Sequence, residues 1–172
     1  GMRTVGQAEI IASIENDTGK SVSENFHMVG GAGLSSLGIT MMNAPENNIF
    51  GWKARYSASD VKHVLLHENK DIYRRNWLTL RGLLGKPYDL DSFKETVYDK
   101  FGKTTFDQSI LDTVIYSQDA LTGETKAFRS WDPKKFYTAD VVLASSVSPS
   151  CFGSYTIREL NSPSSHPGYT LN

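Results

Sequence analysis

An α/β layer architecture is the fold class this sequence predicts, and two observations carry it. Between residues 26 and 42 a short apolar run, a glycine cluster and a helix-like segment follow one another, which reads as strand, tight turn and helix. Further along, β-rich runs at 112–116 and 125–129 lie between helical patterns at 89–102 and 138–146. Strands alternating with helices favour packed α/β layers over a helical bundle or a β-sandwich.

Each element has its own local justification. Val5, Ala8, Ile11 and Ile14 recur at helical spacing over residues 5–17, and Gly19 supplies a stop. Phe26 to Val29 is apolar and short, as a buried strand is. Gly30, Gly31 and Gly33 make the turn, and Leu34 to Met42 forms the helix that leaves it. Residues 44–58 are rich in turn formers and aromatics and are expected as loop. Ser59 or Asp60 caps a helix running to about Arg75, and Asp89 caps a second one ending at Gly102. Asp112 to Tyr116 and Thr125 to Arg129 flank the turn Leu121-Thr122-Gly123-Glu124 as a strand pair. Thr138 to Ser146 is helical and ends before Pro149. From Ser154 the chain turns polar, with Pro163, Pro167 and Gly168, and its last 15 or so residues are expected as loop.

At 172 residues the chain is read as a single domain over 1–172, able to bury roughly two thirds of its unfolded-chain surface. With 39% hydrophobic and 22% charged residues the composition is that of a globular domain, which excludes disorder as the whole answer. The net charge of −1 argues against nucleic-acid binding through a broad basic face. Cys151 has no intramolecular disulfide partner. The stretch from Arg3 to Asp17 lacks the continuous apolar core of a signal peptide, and the charge-free run Met28 to Pro45 is too polar to span a bilayer. The expected location is therefore the cytoplasm.

Three segments in order resemble the patatin-like phospholipase family, lipid acyl hydrolases with a Ser-Asp dyad. The opening GMRTVGQAEIIASIENDTGKSVSENF resembles the end of that family's oxyanion glycine motif followed by its first helix and the Phe that begins the elbow strand. YDLDSFKETVYDKFG and DTVIYSQDALTGETKAFRS resemble a helix ending in Phe-Gly and a strand-turn-strand with an Asp, here Asp119. ADVVLASSVSPSCF resembles a helix running into Ala-Ser-x-Ala-x-Pro-x-x-Phe, with Ala144, Ser145, Pro149 and Phe152 in register. The resemblance implies a three-layer fold around a central, mostly parallel sheet. It implies no cofactor, no metal, a lipid or acyl-ester ligand and peripheral membrane contact. It also places the family's first strand before residue 1 and its Asp-Gly-Gly region after residue 172, so the sheet is expected to lack its first strand and the chain its dyad Asp.

The implied site falls on few residues. Gly1 and Arg3 match the oxyanion segment, with Thr4 where its last glycine stands. Counted without gaps from Phe26, the Gly-x-Ser-x-Gly elbow falls on Gly31-Ala32-Gly33-Leu34-Ser35. The nucleophile position is then Gly33, which has no oxygen to attack an ester, and loss of a nucleophile costs on the order of 10⁶ in rate. A two-residue insertion would instead make Ser35 the nucleophile of Gly33-Leu34-Ser35-Ser36-Leu37, without the closing glycine. Helix capping accounts for Ser35 and Ser36 more simply. The readings that follow are a catalytically impaired patatin-like domain, a non-catalytic lipid- or protein-binding domain, and an esterase using Ser35.

Other residue groups suggest less. His63 and His67, one turn apart with Asp60 and Asp71, could chelate zinc but read better as a solvated helix face, and the Glu of His-Glu-x-x-His is absent. Phe50, Trp52, Tyr56, Tyr73 and Trp77 could line an apolar groove or belong to the core. Arg74, Arg75, Arg81 and Lys86 form a basic stretch that could meet anionic headgroups or simply face solvent. Cys151 reads as a small buried hydrophobe rather than a nucleophile.

Overall fold

A computed structural model describes residues 2–46, 53–75, 86–161 and 168–171. Helix α1 (Met2–Thr18) opens the chain and a single turn α2 (Val22–Asn25) follows it. Strand β1 (Met28–Ala32) leads into α3 (Ser35–Asn43), then come α4 (Ala58–His67), the short α5 (Asn69–Ile72) and α6 (Leu90–Phe101). Strands β2 (Asp112–Gln118) and β3 (Thr125–Arg129) precede α7 (Thr138–Ser146). The chain ends in β4 (Tyr155–Ile157) and β5 (Tyr169–Leu171).

The fold is α/β. Its sheet runs β1-β2-β3 and is mixed: β1 and β2 are parallel with Gly30 opposite Val114, while β2 and β3 are antiparallel with Ile115 opposite Phe128. Thr113, Ile115 and Ser117 alternate inward along β2, and Tyr116 and Gln118 face outward. The inward face carries α7 and α3. On one side Leu37, Met41, Phe93, Val97, Val142 and Phe152 form the larger core, and Phe106, Ile115, Phe128, Phe136, Ile157 and Leu171 form a second. Truncating any of these costs the transfer term plus a cavity term.

Strand β1 extends past the expected Val29 to take in Gly30, Gly31 and Ala32, each of which pairs with β2, and glycine fits the close approach of their neighbours. A Cβ at Gly30 would lie 2.8 Å from Val114 Cγ1, and one at Gly31 would lie 2.6 Å from Ile39 Cδ1. The helix expected to run to Arg75 starts earlier and breaks. Ser57 caps it, accepting from Asp60 N–H at 3.2 Å while Asp60 reciprocates, and the helix stops at Glu68 before α5 resumes. Lys100 of α6 pairs with Glu68 at 2.9 Å and Ser92 donates to Asp71 O, so contacts with α6 set where the chain bends.

The chain after Ser154 is not all loop. β4 and β5 pair antiparallel, Ala120 N–H donates to Thr170 O, and Leu171 bridges Asp119, which hangs this small ribbon on the end of β2. Its other anchor is Asp140 at the start of α7, whose Oδ1 accepts from Tyr98 Oη of α6 at 2.5 Å and from Tyr155 Oη of β4 at 2.6 Å. Burial first, then the Asp140 hydrogen bond, push the Tyr98 phenol up to about 12 from its ordinary 10.0, and the same two causes raise Tyr155. A phenol whose folded value is raised contributes stability that is complete below pH 10 and is lost as pH climbs towards 12. The melting temperature of the wild-type chain is therefore expected to fall more steeply across that window than that of Tyr98→Phe. Parallel pH profiles of the two would refute this assignment, because lysine deprotonation affects both proteins alike.

Candidate functional site

The residues between β1 and α3 form an elbow. Gly33 ends the strand's course at φ +61°, a left-handed conformation that L side chains rarely adopt, and Leu34 then enters the right-handed region at φ −63°, ψ −20°. The sharp reversal aims the Gly33 Cα hydrogen at open space: a Cβ built there meets nothing within 4 Å. Gly31, two residues earlier, sits with a would-be Cβ 3.2 Å from Ser35 Oγ. A strand, a left-handed residue and a helix start thus follow one another around Gly33, and glycine gives this turn no side chain.

Three serines close round this turn. Gly33 N–H donates to Ser145 Oγ at 2.9 Å, and Ser145 Oγ donates on to Tyr116 O at the end of β2 at 2.6 Å. Gly33 O accepts from Ser36 Oγ at 2.7 Å and from Ser146 Oγ at 3.0 Å. The backbone of Gly33 is therefore tied to α7 at both of its polar groups and, through Ser145, to β2. Ser145 could have been flagged from the Ala-Ser pair that carries the resemblance, but nothing in the local sequence tells that its hydroxyl reaches residue 33.

Ser35 is differently placed. Its Oγ donates to Ala32 O at 2.7 Å and accepts from Ala32 N–H at 3.4 Å, which closes the first turn of α3. No histidine or carboxylate bonds to it among the described residues, so no side chain here would take its proton. Ser35 also lines a cavity of about 290 Å³ between α1 and α3, whose other walls include Ala8, Ile10, Ile11, Ile39, Met42 and Val61. A second cavity, of about 250 Å³, shares Ile11, Gly30, Ile39 and Met42 with it and reaches Phe26 and Met28. Together they make an apolar groove alongside β1, and β1 pairs on one side only among the described residues. Ile10, Phe26 and Met28 are exposed beside it.

Of the residues expected at the oxyanion segment, Arg3 is exposed on the first turn of α1 and Gly1 lies outside the described residues. Their neighbours Thr4 and Gln7 do line the groove, as Ser35 does. Glu15, for which the sequence offers no signal, ties α1 to two other helices: Oε1 accepts from Val22 N–H at 3.2 Å and Oε2 from Ala58 N–H at 2.9 Å. These carboxylate contacts sit at the N-termini of α2 and α4, where negative charge is favoured.

The remaining candidate groups disperse. His63 and His67 stack with ring centroids 4.4 Å apart, Asp60 is occupied in capping α4, and no group of three or more His, Cys, Asp and Glu gathers into a metal site among the described residues. Tyr56 donates to Lys100 O, and Tyr73 packs against Tyr88 and Phe152, so both serve the larger core. Phe50, Trp52, Trp77 and Arg81 lie outside the described residues. Arg74 and Arg75 are exposed, and Lys86 Nζ donates to Pro149 O. Cys151 is partly buried against the larger core. No helix among the described residues is long and apolar enough to cross a membrane.

No family model matches the sequence. The chain spans about two fifths of the length of the curated relatives it matches. It is 23% identical over 171 residues, covering 88% of this chain and 41% of the relative, to Patatin-like protein 2 of Oryza sativa subsp. indica and equally to Patatin-like protein 2 of Oryza sativa subsp. japonica.

Proposed function

We propose that this chain is a patatin-like domain that holds an acyl chain beside its elbow without hydrolysing an ester. The observation that carries the reading is Gly33: the elbow's left-handed residue has no nucleophile, and Ser35, two residues on, lines an apolar groove. The lining of that groove, isoleucine, methionine and valine together with Thr4, Gln7 and Ser35, suits an extended hydrocarbon with a polar head near the elbow. The distant likeness to the rice patatin-like proteins supports the family assignment. In this reading the exposed Ile10, Phe26 and Met28 supply peripheral contact with a lipid surface, nucleic acid is not a partner, and the protein works in the cytoplasm.

The competing reading, an esterase using Ser35, is favoured by that serine's position on the groove wall. One pair of measurements separates them. With oleate at about 100 times its dissociation constant, stability should rise by about 2.7 kcal/mol through mass action, while p-nitrophenyl butyrate should be hydrolysed no faster than in buffer. Turnover that disappears in Ser35→Ala would establish the esterase instead. The absence of any oleate-induced shift in melting temperature would remove the lipid-binding reading.

A further inference from the structure

At the opposite edge of the sheet from the elbow, against β3, lies another cavity, and nothing in the patatin-like reading uses it. It measures about 380 Å³, within the range of small-molecule sites. Its floor is the edge-to-face pair Phe128 and Phe136, with ring centroids 5.2 Å apart, and Tyr169 of β5 stands beside them. Three cations border it: Lys126 and Arg129 from β3, and Lys134 from the loop that follows.

The cations are not equally engaged. Lys134 Nζ donates to Tyr169 Oη at 2.9 Å and sits 5.6 Å from the centre of that ring, which fixes its ammonium at the cavity wall. Arg129 meets Asp132, the single carboxylate of the lining, at 3.7 Å, and Lys126 meets Glu124 at 3.5 Å. Both are long contacts between largely exposed groups and hold little free energy. Each leaves donors of the guanidinium or ammonium for a further acceptor. An aromatic floor beneath a fork of such donors is complementary to a flat ring bearing an anionic group.

We propose that this cavity is a binding site for an organic anion with a flat aromatic body, its carboxylate, sulfonate or phosphate meeting Arg129 and Lys134 and its ring lying on Phe128 and Phe136. The site is independent of the elbow and its groove.

The test uses the purified chain with two probes, phenyl phosphate followed by heteronuclear NMR and 8-anilinonaphthalene-1-sulfonate followed by fluorescence. Phenyl phosphate should shift the amides of residues 126–129, 132, 134–136 and 169 and displace the sulfonate probe. Lys134→Gln and Arg129→Gln should each weaken binding about tenfold with an unchanged melting temperature, since each removes one charge-assisted contact. Raising the salt concentration should weaken wild-type binding and leave the double variant nearly unaffected. Ile10→Gln, an exposed change in the α1 groove, should leave binding unaltered. Amide shifts confined to the α1 groove, binding lost in Ile10→Gln, or equal affinity of wild type and both charge variants would each overturn the proposal.

Discussion

Phe93→Ala should lower stability by about 3–5 kcal/mol, the cost of removing a fully buried phenylalanine from a core that cannot collapse round the gap. Phe93 is 1% exposed on α6 and stacks obliquely on Phe152 with centroids 5.3 Å apart. Phe152 in turn contacts Tyr73 and Tyr88. The four rings come from α6, from the segment after α5, from the approach to α6 and from the turn after α7, so the alanine would loosen all of these together. In a chain of this size each kcal/mol lowers the melting temperature by about 2–4 °C, so a fall of roughly 6–20 °C is expected. Urea unfolding should show the same loss at an unchanged slope. A cost below about 1 kcal/mol would mean that the four rings do not form one packed cluster.

Where the signal is local, the fold is legible in the sequence. Asp89 caps α6 through a bond from Asp91 N–H at 3.1 Å, and Gly102 ends it at φ +55°, so both boundaries were visible in the two residue types that set them. β3 and α7 likewise start and stop where turn residues and a proline said they would. The single turn α2 carries a legible signal as well: Ser21 and Glu24 stand three apart as a capping box, with Ser21 N–H donating to Glu24 at 2.8 Å. β4 and β5 were not legible. Three residues cannot display a period of two, and these strands exist because Ile157 and Leu171 enter the second core and because Ala120 and Asp119 meet their partners across the chain. The break after α4 belongs to the same class, since Lys100 and Ser92 enforce it from α6. At the site, glycine at the turn was readable as a bend, but its hold on α7 depends on a serine 112 positions away.

That hold predicts an ordering among serines that a solvated turn would not show. Among the described residues Ser145 is the sole side-chain link from Gly33 N–H, and its own proton satisfies Tyr116 O. Ser145→Ala strands a donor and an acceptor at once in a partly buried place, at an expected cost of about 1–3 kcal/mol. Ser146→Ala removes a bond from Gly33 O, which keeps both the Ser36 hydroxyl at 2.7 Å and the Ser36 N–H at 3.0 Å. Its cost should stay within about 0.5 kcal/mol, as for a substitution that leaves no group unpaired. Denaturant unfolding of the two variants measures the difference. Equal losses would mean that the elbow is held by α3 alone. The expected inequality means instead that β1, α3, α7 and β2 are tied together at one glycine. Any side chain placed at residue 33 would then project into open space from a backbone already fixed on its other sides, as the Cβ built there does.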